Sequence, residues 1–164
     1  MPESHIDQPN PGSVSAVTWN GYPAVRVVVH GRVERKDNRR QIFRRADGKP
    51  FVAKSKAALD YVKHFMACNM VPARPPMGGK EEVLVVAGNV FYQDRFRGDL
   101  AIELVLDCLT KSGIIRDDRF CIRHAVSKCQ DKEDPRIDLI VAAIPVDEYD
   151  WATGVVRKPD GTTC

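Results

Sequence analysis

At 164 residues, with 43% apolar and 29% charged side chains, the chain has the size and composition of one globular domain able to bury its own core. No apolar run is long enough to span a bilayer, and the opening Met1-Pro2-Glu3-Ser4-His5 lacks the basic flank and apolar stretch of a signal peptide. Five cysteines without a Cys-x-x-Cys pair fit reduced thiols better than a disulfide framework, so a cytoplasmic protein with no membrane association is expected.

The net charge of +3 is unevenly spread. Ten basic residues between Arg32 and Lys56 face three acids (Glu34, Asp37 and Asp47), a local surplus of +7, so the rest of the chain carries −4. Such a division suggests one part that meets a polyanion and another that holds cations.

In chain order, residues 1–22 are rich in Pro, Gly, Ser and Asn without periodicity and read as a mobile tail. Residues 23–148 read as the domain. Within it, Ala24 to His30 is β-branched and predicts a strand. Gln41-Ile42-Phe43-Arg44 and Pro50-Phe51-Val52 flank Ala46-Asp47-Gly48-Lys49, and Asp-Gly predicts a hairpin turn there. Ser55 opens a helix whose Ala58, Leu59, Val62, Phe65 and Met66 fall on one face. Residues 71–79, with three prolines and two glycines, form a connector. Glu82 to Tyr92 reads as a long strand, bent at Gly88. A second helix runs from about Asp99, a suitable N-cap, to Lys111, with Gly113 as the stop. Phe120 to Val126 and Ile137 to Ile144 read as two further strands, expected to pair with each other across the turn at 130–135. Residues 149–164 read as a second tail. The sum is an α+β fold: a mixed sheet with two principal helices packed on it.

The second helix carries the most suggestive chemistry. Asp99, Glu103 and Asp107 stand at i, i+4 and i+8 and share one side of an otherwise apolar helix, expected to be mostly buried. Three carboxylates in one stripe repel one another and are costly to desolvate unless a cation answers them. Asp117 and Asp118 follow after a short connection and can add oxygens, the ligand type Mg²⁺ prefers. Each acid also has a plainer role open to it. Asp99 can be a simple N-cap, Asp107 can pair with Arg123 or face water, and the paired aspartates can be solvated turn residues. The basic segment can contact phosphates or coat a solvated hairpin, with Phe43 and Phe51 better read as core than as stacking platforms.

Other motifs fall away. Gly78-Gly79-Lys80-Glu81 lacks the spacing of a phosphate-binding loop. Cys121 and His124 would face opposite sides of a strand, which argues against zinc, and His30 and His64 show no evident partner in the sequence.

The run Gly98-Asp99-Leu100 through Leu109-Thr110-Lys111-Ser112-Gly113 to Asp117-Asp118-Arg119 resembles the RusA-like Holliday-junction endodeoxyribonucleases. Their pattern is an aspartate opening a helix, a second aspartate before Leu-x-Lys-x-Gly, and then a paired Asp-Asp. Upstream, Lys36-Asp37-Asn38-Arg39-Arg40, Gly48-Lys49-Pro50-Phe51 and Ser55-Lys56 are similar to the family's basic segment. Downstream, Lys128 and Asp134-Pro135-Arg136-Ile137-Asp138 are similar to its closing hairpin, so the resemblance spans about residues 25–145. It implies a homodimeric, Mg²⁺-dependent nuclease (with Mn²⁺ a substitute) that cuts branched DNA in a bacterial or phage-infected cytoplasm, with no small-molecule cofactor. By position, Asp99 and Asp118 match metal-binding aspartates, and Asp107 and Asp117 match acids nearby. The helix departs from the best-known pattern where Arg97 replaces an aspartate, Leu100 an asparagine and Glu103 a lysine; Glu103 would then supply the missing carboxylate. Arg32, Arg35, Lys36, Arg39 and Arg40 are expected on phosphates, with Asn38, Lys54, Lys56 and Lys128 as further contacts. An inactive branched-DNA-binding protein that keeps the fold, or a non-enzymatic interaction module, are the rival expectations.

Overall fold

The computed structural model describes residues 12–33, 41–53, 55–68, 75–94, 100, 102–158 and 160–163. Its first element, β1 (Gly12–Trp19), forms an antiparallel hairpin with β2 (Tyr22–His30), from Gly12 opposite Val29 to Trp19 opposite Tyr22. The turn is Asn20-Gly21, both at positive φ (49° and 87°), the left-handed pair that a two-residue hairpin requires. The expectation of a tail over 1–22 is therefore corrected for residues 12–22. Their Asn-Gly turn and the β-branched Val14, Val17 and Thr18 outweigh a polar composition. Residues 1–11 lie outside the described residues.

The basic segment contains a second hairpin, β3 (Gln41–Arg44) and β4 (Pro50–Ala53), closed where the sequence predicts. At its turn the Arg45 and Gly48 amides donate to the Lys49 and Arg45 carbonyls, with Gly48 at φ 79°. Helix α1 (Lys56–Ala67) follows, capped by the Ser55 hydroxyl, which accepts from the Ala58 amide at 3.2 Å. It buries Ala58, Tyr61, Val62 and Phe65, while Leu59 and Met66, expected on the same face, are each 43% exposed. At roughly 100° per residue those two sit well off the centre of the buried stripe, and Tyr61 takes the place assigned to them.

Strand β5 (Glu82–Tyr92) leads to α2 (Ile102–Lys111), a 3-10 turn at Asp118–Phe120 and β6 (Cys121–Gln130). Helix α2 ends at Gly113 (φ 74°), where the Gly113 amide donates to Thr110 and the Ile114 amide to Leu109. Strand β7 (Arg136–Pro145), a 3-10 turn at Val146–Glu148 and the short strands β8 (Tyr149–Asp150) and β9 (Val155–Val156) complete the chain.

The main sheet has five strands in the order β1-β2-β7-β5-β6, antiparallel except for the parallel pair β5–β6 that α2 connects. The fold is α+β, a mixed sheet with two helices. The expected pairing of β6 with β7 is corrected, because β7 lies between β2 and β5, and residues 131–135 pass over the end of β5. There the Asp131 amide donates to the Tyr92 carbonyl and the Gly31 amide to the Pro135 carbonyl. Burial explains the choice. From Leu139 to Ile144 β7 is apolar on both faces, which suits a central strand, whereas Arg123, His124, Ser127 and Lys128 of β6 are exposed, which suits an edge.

Both helices pack on one sheet face, against Val25, Val27, Leu84, Val86, Leu139 and Val141. At one end of the opposite face a smaller core joins Tyr22, Ala24, Val83, Val85 and Ile144 to the fully buried Val156. The expected C-terminal tail is thus corrected where β8 and β9 fold back as a hairpin over the sheet. Among the described residues, no helix is long and apolar enough to cross a membrane.

Candidate functional site

Helix α2 is held by Leu104, Val105, Leu106, Cys108 and Leu109, all buried. That leaves Glu103 exposed and Asp107 half-buried one turn further on, on the side turned away from the core. The sequence correctly puts these acids on one side. The expected desolvation is corrected: among the described residues no polar or charged side chain is fully buried, because the apolar stripe and the acid stripe occupy opposite sides of the helix. Glu103 and Asp107 both engage neighbouring groups, as does Arg123, the base weighed for Asp107. Asp99 lies outside the described residues.

The paired aspartates stand at the start of β6, in a turn that packs against α2. Asp117 caps the turn, accepting from the Arg119 amide at 3.0 Å, and its other oxygen lies 3.4 Å from Arg119 Nε. Asp118 is exposed. Their position is reported by Cys121, whose thiol is pushed up to about 12, first by burial and then by the negative charges of Asp118 and Asp117.

The donor set suits a hard cation in its chemistry: carboxylate oxygens, partly open to water, on a helix and an adjoining turn. Among the described residues no three acid, histidine or cysteine side chains gather closely enough to hold a metal by themselves. Asp117 is already bonded to Arg119, while Glu103 and Asp118 are exposed to solvent.

Of the expected DNA contacts, Arg32, Lys56 and Lys128 are exposed. The Lys128 ammonium sits 5.3 Å from the Tyr92 ring centroid. Arg35, Lys36, Asn38, Arg39, Arg40 and Lys54 lie outside the described residues.

The two histidines without an evident partner both have one. His30 Nδ1 lies 2.7 Å from Asp134 Oδ1, and His64 Nε2 donates to the His30 carbonyl at 2.7 Å. Sequence reasoning also misses a cleft of about 870 Å³ at the end of the sheet, between the Asn20-Gly21 turn, Gly78 to Glu82 and the segment after β7. Lys80, Arg116 and Lys158 line it together with Glu81, Glu82 and Glu148. The acids are partly spent: Glu82 accepts from the Gly78 amide at 2.9 Å and Glu148 from the Tyr22 hydroxyl. The glycine pair at 78–79 was the available signal, and it belongs to a tight turn (Gly78 φ 91°) that brings Lys80 to the rim.

No protein-family model and no curated protein matches the chain.

Proposed function

We propose that the protein is a Mg²⁺-dependent endodeoxyribonuclease of the RusA-like type, acting as a homodimer on branched DNA. The observation that carries this reading is the pairing of two acid-bearing elements. The outward side of α2 presents Glu103 and Asp107, and the turn packed against α2 presents Asp117 and Asp118. The resemblance over residues 98–119 supplies the chemical identity.

In this reading Glu103 and Asp118, with Asp99, bind the cation, and Asp107 and Asp117 hold and orient those ligands. The bound Mg²⁺ would lower the pKa of a water and offset charge on the phosphate. Arg32 and Lys56, exposed on the segments flanking the β3–β4 hairpin, neutralise backbone charge and fix the position of the substrate without reading bases. A substrate with two-fold symmetry that must be cut twice calls for two related active sites, which a dimer provides.

The test is cleavage of a synthetic four-way junction beside a linear duplex of the same sequence, with and without Mg²⁺, by the wild-type protein and Asp118→Asn. Paired, Mg²⁺-dependent nicks in the junction that disappear in Asp118→Asn are the expected result. Arg97 and Glu103, at positions where the family has an aspartate and a lysine, favour a second reading. In that reading the protein binds junctions without cutting them, and tight binding with no product in any divalent metal would select it.

A further inference from the structure

Among the described residues, the β3–β4 hairpin forms a two-stranded sheet of its own, apart from the main sheet. Ile42 and every residue from Arg44 to Pro50 are exposed, Ile42 at 71%. A hairpin of this size is marginal alone in water, and an exposed isoleucine on it adds nothing to its stability. Ile42 and Arg44, two residues apart on one strand, point to the same side of the ribbon. Arg45 and Lys49 flank its turn. The one acid in this stretch, Asp47, is itself exposed and accepts from the Lys49 amide at 3.1 Å. The ribbon therefore carries three basic residues against one acid, together with an exposed apolar side chain, on two strands.

We propose that this hairpin is an arm that lies in the major groove of duplex DNA. Arg44, Arg45 and Lys49 reach the phosphates on the groove walls, and Ile42 covers itself against base edges on the floor. The charge is complementary to the two phosphate rows, and a two-stranded ribbon matches the groove's width of about 12 Å. The inference rests on the DNA-binding part of the reading above and adds a contact that the acid site does not require.

The test is fluorescence anisotropy on a labelled linear duplex, in EDTA, over a range of salt, for wild type, Arg44→Gln/Lys49→Gln and Ile42→Ser. All these positions are exposed, so the variants should keep the wild-type melting temperature and circular dichroism spectrum. The double variant is expected to lower the slope of log affinity against log salt by about 2. Ile42→Ser is expected to weaken binding at every salt concentration with the slope unchanged. An A-form RNA duplex, whose major groove is too narrow and deep for the ribbon, should bind more weakly than DNA. Variants that bind a wild-type DNA target with unaltered affinity and slope overturn the arm and leave the nuclease reading standing. RNA held as tightly as DNA overturns groove insertion as well. Loss of binding in the variants with no cleavage by wild type in any metal keeps the arm and removes the nuclease. A wild-type protein that binds no DNA removes both.

Discussion

Asp138, on the sheet face away from the helices, takes both oxygens to Arg26, at 2.8 Å from Nε and 2.6 Å from Nη2. Those hydrogen bonds hold its carboxyl below the usual carboxylate range, outweighing partial burial. A carboxylate depressed in the folded state stabilises the protein above its unfolded value, about 3.9, and loses that contribution as pH falls through the folded value. Asp138→Asn should therefore cost about 1 kcal/mol near neutrality, and the gap from wild type should close below about pH 4 in urea melts run across pH. Gly88 makes a sharper case. Its φ is 136°, and a Cβ placed there would lie 2.3 Å from the Asp138 carbonyl oxygen. Gly88→Ala combines backbone strain with overpacking and should destabilise by about 3 kcal/mol, measurable as a lower denaturation midpoint. The bend at Gly88 was legible because glycine inside a strand signals a close approach; which backbone approaches was not. The same limit hides the partner of His30, since Asp134 lies 104 positions away and only the β2–β7 register brings it near.

Elements were most legible where local chemistry decides them. Ser55 caps α1 because its hydroxyl reaches the Ala58 amide, and Ser55→Ala should cost about 1 kcal/mol by thermal or urea unfolding, with Ser55→Asp close to neutral. The Asp47-Gly48 turn likewise formed where the dipeptide predicts it. Asn20-Gly21 is an equally strong signal, yet the surrounding Ser, Gly and Pro outweighed it in a reading by composition. Helix α2 was legible as a helix with its acids aligned. Which way that line points depends on Leu104, Leu106 and Leu109 joining the core, whereas the apolar residues around the acids suggest a helix that is mostly buried.

At the scale of the whole molecule, a metal held only by the folded protein should raise its melting temperature. At a hundredfold excess over its dissociation constant the gain is about 2.7 kcal/mol, or about 5 to 10 °C for a domain of this size. Millimolar Mg²⁺ should produce a rise in the wild-type protein, much reduced in Glu103→Gln and Asp118→Asn; an unchanged melting curve would count against the acid site. The fold class was legible from the alternation of patterns, but the strand order was not, because β6 and β7 are neighbours in sequence and strangers in the sheet. That order has a consequence for how the chain is made. The strand joining the two halves is β7, the last long strand to be synthesised. A nascent chain stopped short of Arg136 carries two fragments, the β1–β2 hairpin and the β5–α2–β6 unit, each with an unpaired backbone edge where β7 would sit. The ribosome must deliver Arg136–Pro145 before either edge can close, so a pause or a premature stop ahead of that strand would release a sticky half-sheet instead of a shortened protein.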